Sequence, residues 1–200
     1  MNYIVFGSGG FAKEVIADVE SDGHKIVGVV STQEFDQNTF KNLYKVYKSI
    51  NDIDHTNVKF LLGVADSELK RKLVDINPDK WSTFIHSSAF VSKFAKIGKG
   101  TIVCPHATIN GDAIVGDFVT LNNYTLVAHN AVVGDYSTFS PYSGIMGHSI
   151  VGEDTFFGTA AYSIPNVKLG NKIKVSAGSM VRHSYSFECV LQGNPAKPRT

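Results

Sequence analysis

From Ile85 to Val181 an aliphatic or aromatic residue stands at every sixth position. The series runs Ile85, Val91, Ile97, Val103, Ile109, Val115, Leu121, Val127, Val133, Phe139, Ile145, Val151 and Phe157, then Leu169, Val175 and Val181. Ser163 is the one interruption, and the register resumes after it without insertion or deletion. Gly98, Gly116, Gly134, Gly152 and Gly170 add a second period of eighteen residues. Three hexads to an eighteen-residue turn is the arithmetic of a triangular parallel β-helix. The leading residue of each hexad is expected to point into the prism, stacked on its equivalents about 4.8 Å away. The fifth position is mostly small or β-branched (Ala89, Ala95, Thr101, Ala107, Ala113), which suits a chain that must bend at corners.

The first eighty residues follow another pattern. Tyr3–Phe6, Ile26–Val30 and Phe60–Val64 are short apolar runs that read as buried strands. Gly7-Ser8-Gly9-Gly10 turns the first strand into a helix over about Phe11–Val19. Ser67, followed by Glu68-Leu69-Lys70-Arg71-Lys72-Leu73, reads as a capped amphipathic helix that stops before Pro78. Leu43–Ile53 is compatible with either a helix or a strand. Strands alternating with helices predict an α/β unit with a parallel sheet. The change of period over residues 79–88 divides the chain into domains 1–80 and 81–200.

Composition adds exclusions. With 200 residues, 43% hydrophobic, 18% charged and a formal net charge of +1, the chain is of ordinary globular type. It carries no basic block that would suit nucleic acid or an anionic membrane. Cys104 and Cys189 make neither a disulfide framework nor a metal-ligand spacing. The N-terminus lacks a positively charged n-region, and no apolar run approaches the length of a membrane span. A cytoplasmic protein with reduced thiols is expected, with no membrane insertion.

Gly7-x-Gly9-x-x-Ala12 matches a G-x-G-x-x-G/A fingerprint set between a strand and a helix. Such glycines bring backbone N–H groups close to a phosphate at a helix N-terminus; a tight turn also needs them for steric reasons. A dinucleotide site wants an acidic residue directly after the second strand, where this chain has Ser31-Thr32, with Glu34 and Asp36 slightly later. The unit is also about half the size of a full dinucleotide-binding domain. Phosphate or nucleotide binding is expected, and NAD-dependent hydride transfer is not.

The Gly-Ser-Gly-Gly-Phe-Ala-Lys-Glu turn, about eighty residues of α/β, and a hexapeptide repeat ending in Gly193-Asn194-Pro195-Ala196-Lys197 together resemble the bacterial sugar acyltransferases. That group includes nucleotide-amino-sugar N-acetyltransferases of surface-glycan pathways and sialic-acid O-acetyltransferases. The resemblance covers essentially the whole chain. It implies a Rossmann-like subdomain followed by a left-handed parallel β-helix. It also implies a homotrimer with active sites between adjacent β-helices, binding acetyl-CoA and a nucleotide-linked sugar and needing no metal.

The resemblance also assigns residues. Val127-Ala128-His129-Asn130-Ala131-Val132-Val133-Gly134 matches the segment that carries a catalytic histidine, so His129 is the expected general base. An ordinary imidazole suits that work at neutral pH, and such catalysis is worth about 10²–10⁴-fold. Asn130 stands where the family has Glu or Asp. Its amide oxygen can fix the histidine tautomer but supplies no full charge. Gly147 matches an oxyanion-hole N–H. Asn122, Gly7, Gly9, Gly10, Phe11, Ser31 and Thr32 match nucleotide-sugar positions; Phe11 replaces a histidine of some members, and Ser31-Thr32 replace paired acids. Thr138, Gly147, Thr159 and Ala177 match CoA contacts, with Thr138 in place of a histidine.

The eighteen-residue period sets Asp112, Asn130 and His148 in one column, and His106, Tyr124 and Tyr142 in another. Asp112 is a candidate to replace the missing carboxylate. His148 reads equally as a ligand contact or a solvated side chain, and the second column reads mainly as an aromatic stack. Direct acetyl transfer to the amino group of a nucleotide-linked 4-amino-4,6-dideoxy sugar is the expected reaction. Sugar O-acetylation and a non-catalytic nucleotide-sugar-binding trimer are the alternatives. No acyl-enzyme is expected, because no base pairs with Cys104.

Overall fold

The computed structural model describes residues 1–31, 40, 43–54, 56–76 and 79–199. Thr32, Glu34, Asp36 and Pro78 lie outside them.

The N-terminal apolar runs form a parallel sheet of β1 (Asn2–Phe6), β2 (Lys25–Val30), β3 (Val46–Tyr47) and β4 (Lys59–Leu62), in the order β3-β2-β1-β4. Helix α1 (Gly10–Ser21) links β1 to β2 and buries Ala12, Val15, Ile16 and Val19. The ambiguous stretch before β4 resolves into β3 and a single 3-10 turn, Ile50–Asp52. Helix α2 (Ser67–Val74) starts one residue earlier than expected. Its cap is Asp66, whose carboxylate accepts the Leu69 N–H at 2.8 Å, and Ser67 is the first helical residue. An ionised carboxylate is the stronger acceptor for an orphan N–H and also suits the positive end of the helix.

Residues 84–193 form a parallel β-solenoid that matches a left-handed β-helix, with three sheets of eight, six and five strands; the last strand of the largest sheet, Ala196–Pro198, runs antiparallel to Val190–Gly193. Face 1 carries Ile102–Val103, Thr120–Leu121, Thr138–Phe139 and Phe156–Phe157; face 2 carries Thr108–Ile109, Leu126–Val127 and Gly144–Ile145; face 3 carries Ile114–Val115, Val132–Val133 and Ile150–Val151. Between Phe84 and Val181 strand partners lie eighteen residues apart, as in Thr120↔Thr138. Hexad-leading residues from Val103 onward, Ser163 included, fill the prism, with Phe139 and Phe157 stacked at 4.7 Å. Ile85 departs from the pattern: it is 40% exposed, because no coil lies beneath the first one to cover it.

Ser163 is buried where other coils have an apolar side chain. Its hydroxyl accepts the Met146 N–H at 3.2 Å and lies 3.3 Å from the Ser149 hydroxyl. The polar break is thus satisfied internally rather than exposed.

Each edge of the prism turns on a residue in the left-handed backbone region, including Asn130 (φ 57) and His148 (φ 60). Hydrogen bonds between coils hold these turns, as in Asn130 N–H to Gly111 O at 3.0 Å and His148 N–H to His129 O at 3.1 Å.

The N-terminal unit sits on face 1. Val15, Ile16 and Val19 share one core with Phe84, Ile102 and Cys104, and Phe60 and Leu73 share another with Trp81 and Phe118. Trp81 bridges to Phe60, so the chain adds to the edge of the N-terminal sheet before it enters the solenoid. Lys70 is 1% exposed beneath α2. Its ammonium donates to Phe118 O, Thr120 Oγ1, Ser137 O and Thr138 Oγ1 at 3.1, 3.0, 3.4 and 2.9 Å. Burial pushes its pKa down to about 7, with Asp154 and Asp66 opposing.

Candidate active site

His129 lies on the edge between faces 2 and 3, in the turn that joins Leu126–Val127 to Val132–Val133. Both His129 and Asn130 are exposed. The left-handed turn at Asn130 folds its side chain back beside the ring, with His129 Nδ1 3.1 Å from Asn130 Oδ1. An amide oxygen only accepts, so Nδ1 carries the proton and Nε2 keeps its lone pair.

The next coil sets Gly147 against the same ring. A Cβ at Gly147 would lie 2.6 Å from His129 Cε1 and 2.7 Å from Nε2, so only glycine leaves the ring in place. Among the described residues the Gly147 N–H has no acceptor, while its carbonyl accepts the Asn166 N–H at 3.0 Å. A basic nitrogen beside an unused backbone donor can take a proton and hold an oxyanion in the same step. Gly147→Ala is expected to fold normally, because the added methyl meets a side chain and not backbone. It should still slow any reaction that uses His129 as its base by about 10²-fold, by displacing the ring; paired activity and thermal-melt measurements check this.

His148 follows Gly147 and brings its ring to 5.1 Å from that of His129, at 83°. Asp112 keeps its place in the column but is exposed, and among the described residues it is not hydrogen-bonded to either ring; the group beside His129 Nδ1 is the Asn130 amide. His106, Tyr124 and Tyr142 stack at 4.9 and 4.8 Å along the edge between faces 1 and 2.

A second group of predicted residues gathers at the glycine turn. Gly7 (φ 133) is required sterically, since a Cβ would lie 2.5 Å from Gly63 O. Gly9 and Gly10 face open space with no atom within 4 Å and no strained φ, so packing does not explain their lack of side chains. Gly9 caps α1 without any side-chain hydrogen bond, and the first turn of α1 holds no acidic residue. The first N–H groups of α1 are therefore available to an anion. Ser31 reaches this turn, with its hydroxyl 3.5 Å from that of Ser8. Ser8 was not singled out by the sequence pattern, although it lies inside the Gly7–Gly10 turn. Phe11 is partly buried against the α1 core, as a packing residue would be.

The remaining predicted positions lie elsewhere on the prism. Asn122 sits at the edge between faces 1 and 2, where its side-chain oxygen accepts the Asn123 N–H at 2.7 Å. Thr159 and Ala177 are exposed one coil apart on that same edge. Thr138 is buried on face 1, accepting from Lys70 and donating to Ala65 O at 2.8 Å. Its hydroxyl is thus already committed. A cleft of about 480 Å³ opens beside it between the start of α2 and face 1, lined in part by Arg71, Tyr136, Phe156, Lys172 and Lys174. Arg71 closes one side, bound to Asp154 and Glu153 at 2.9 and 2.8 Å and lying 4.0 Å from the Tyr136 ring.

Cys104 is buried, and burial pushes its thiol well up, with Asp18 and Glu14 adding to the effect. It is poorly suited to be a nucleophile. Among the described residues no group of three or more His, Cys, Asp or Glu could hold a metal ion, and no helix is long and apolar enough to cross a membrane.

The glycine turn and His129 are not brought together within one chain. The N-terminal unit covers face 1, and His129 lies on the edge opposite that face, across the packed interior of the prism.

No protein-family model matches the chain, and no curated protein matches it. Solved structures do. The acetyltransferase domain of PglB from Neisseria gonorrhoeae is 23% identical over 99% of both chains, with a TM-score of 0.88. PerB from Caulobacter crescentus, solved with CoA and GDP-perosamine, is 24% identical over 100% of this chain and 98% of that one, with a TM-score of 0.89. WeeI from Acinetobacter baumannii is 23% identical over the whole of both chains, with a TM-score of 0.87. The fold is shared with sugar acetyltransferases.

Proposed function

We propose that the chain is an acetyl-CoA-dependent N-acetyltransferase acting on a nucleotide-linked 4-amino-4,6-dideoxy sugar. The observation that carries this reading is the His129 ring, held at Nδ1 by Asn130 Oδ1 and packed against Gly147, whose N–H has no acceptor among the described residues. The sugar nitrogen attacks the thioester carbonyl carbon, and His129 takes its proton. The carbonyl electrons move to oxygen, and Gly147 N–H donates a hydrogen bond to the oxyanion. Collapse breaks the C–S bond, and His129 returns the proton to the departing thiolate, releasing CoA and the amide. An amine is the better nucleophile, which suits a histidine oriented by an amide rather than a carboxylate.

Residues 1–80 serve as a Rossmann-like nucleotide-sugar domain. Gly9, Gly10 and the start of α1 hold the diphosphate, with Ser31 near the nucleoside. Residues 81–200 form the left-handed β-helix acyltransferase domain. Thr159 and Ala177 meet CoA through their backbone, Thr138 offers it only its methyl group, and Asn122 contacts the sugar nucleotide with its amide nitrogen. Because His129 and the glycine turn lie on opposite sides of one prism, a complete site takes the loop from one copy and the histidine from another. A homotrimer supplies that geometry, and a cytoplasmic location supplies both substrates. PerB, which shares the fold, was solved with a nucleotide-linked amino sugar and CoA together.

The test is thiol release from acetyl-CoA against UDP-, dTDP- and GDP-linked amino sugars, with free sialic acid alongside. Release with an amino-sugar nucleotide is expected. Nucleotide binding with no release from any acceptor would instead favour a binding protein.

A further inference from the structure

The aromatic column on the edge between faces 1 and 2 stops part-way along the prism. His106, Tyr124 and Tyr142 occupy one turn position in successive coils, and Ala160 and Gly178 occupy it in the next two. The turn is left-handed at all five positions, with φ 60, 59 and 60 at the rings, 56 at Ala160 and 68 at Gly178. The backbone therefore does not dictate where the rings end. Ala160 and Gly178 are exposed, and a Cβ at Gly178 would meet nothing within 4 Å. They leave an open notch two coils long, whose floor is the free face of the Tyr142 ring. That ring lies parallel to Tyr124, 4.8 Å below it and inclined by 4°, and is 53% exposed.

Two further observations set this notch beside His129. Tyr142 precedes Gly147 by five residues, under a third of a coil, so both stand at nearly the same height on the two edges that border face 2. Face 2 is also the face whose outward strand residues carry no charge: Phe90, Thr108, Leu126, Gly144, Tyr162 and Met180. Lys96 and Lys168 stand on face 3 and Lys174 on face 1. Copies joined along face 2, about an axis parallel to the prisms, place the notch of one against His129 and Gly147 of the next.

We propose that Tyr142 sets the length of the acyl group that the site accepts. CoA descends the notch past Gly178 and Ala160, and the Tyr142 ring closes the space beyond the thioester carbonyl, leaving room for an acetyl group. The proposal rests on the acyltransferase reading and adds to it the residue that selects the acyl donor. Without the ring the floor drops to Tyr124, 4.8 Å lower. At about 1.5 Å per bond, that depth admits about three more carbons.

The test measures thiol release from acetyl-CoA and butyryl-CoA with a nucleotide-linked amino sugar, and takes the ratio of the two kcat/KM values within each protein. The wild type should favour acetyl-CoA. Tyr142→Asn and Tyr142→Gly shorten the side chain with residues that suit a left-handed turn, and native mass beside each rate verifies assembly. Both should raise the butyryl-to-acetyl ratio by about tenfold or more, while Tyr142→Phe, which keeps the floor, should hold the wild-type ratio. An unchanged ratio in the shortened variants overturns the proposal, as does a wild type that takes butyryl-CoA as readily as acetyl-CoA. Either result leaves the acyltransferase reading standing. A wild type that releases thiol from neither donor overturns that reading, and the role of Tyr142 with it.

Discussion

His129→Ala is expected to lower kcat/KM for acetyl transfer by about 10²–10⁴-fold, the usual worth of a positioned general base. Its melting temperature should stay near that of the wild type, because the side chain is exposed and its backbone bonds are kept. Thiol-release kinetics beside a thermal melt measure both. The loss should also be repairable in trans. Gly9→Asp places a carboxylate in open space at the mouth of α1, where Asp is also a good N-cap, so the fold is kept while a diphosphate is repelled. Neither variant should work alone. Unfolded together and refolded as mixed oligomers, they should regain activity, since some sites then join an intact loop from one copy to an intact histidine from another. A site confined to one chain would stay inactive in the mixture.

The second large effect concerns stability. Lys70→Ala removes the donor for two carbonyls and two hydroxyls that are buried between α2 and face 1. Groups stranded in this way cost about 1–3 kcal/mol each when no water replaces the donor, so a loss of about 3 kcal/mol or more is expected. In a chain of this size that lowers Tm by about 6–12 °C. The pH dependence has a definite sign. The folded-state pKa of Lys70 is pushed down to about 7 from 10.5, so between those values the unfolded chain holds the extra proton. Stability from this residue is therefore full above pH 10.5 and lost as pH falls toward 7. Denaturant melts of the wild type should grow more stable from pH 7 to pH 9.5 relative to Lys70→Met, which lacks the titration. A difference that runs the other way would refute the assignment.

The solenoid was legible because each hexad contributes one inward residue, so a bare count of positions reproduces the strand register, down to Thr120↔Thr138. Ile85 escaped that count because a period carries no information about where the stack ends. Asp66 was missed as a cap because Ser67 beside it is an equally good cap type, and only the turn geometry decides between them. Lys70 sits three and four positions before Leu73 and Val74, on the buried side of α2. A charged residue at such a place reads as solvated until the acceptors of another element are known to surround it. The same limit applies at the site. Residue spacing put His148 in the Asn130 column, but the left-handed turn that carries its ring to His129 is a property of the folded edge. The need for glycine at 147 likewise appears only once the His129 ring lies against it.

The most direct measurement is the identity of the product formed from acetyl-CoA and a nucleotide-linked 4-amino sugar, determined by mass spectrometry before and after hydroxylamine treatment. The account predicts one acetyl group on the sugar nitrogen, resistant to hydroxylamine as an amide is, formed by the wild type and not by His129→Ala. An acetyl group that hydroxylamine removes, or acetylation that persists without His129, would contradict it.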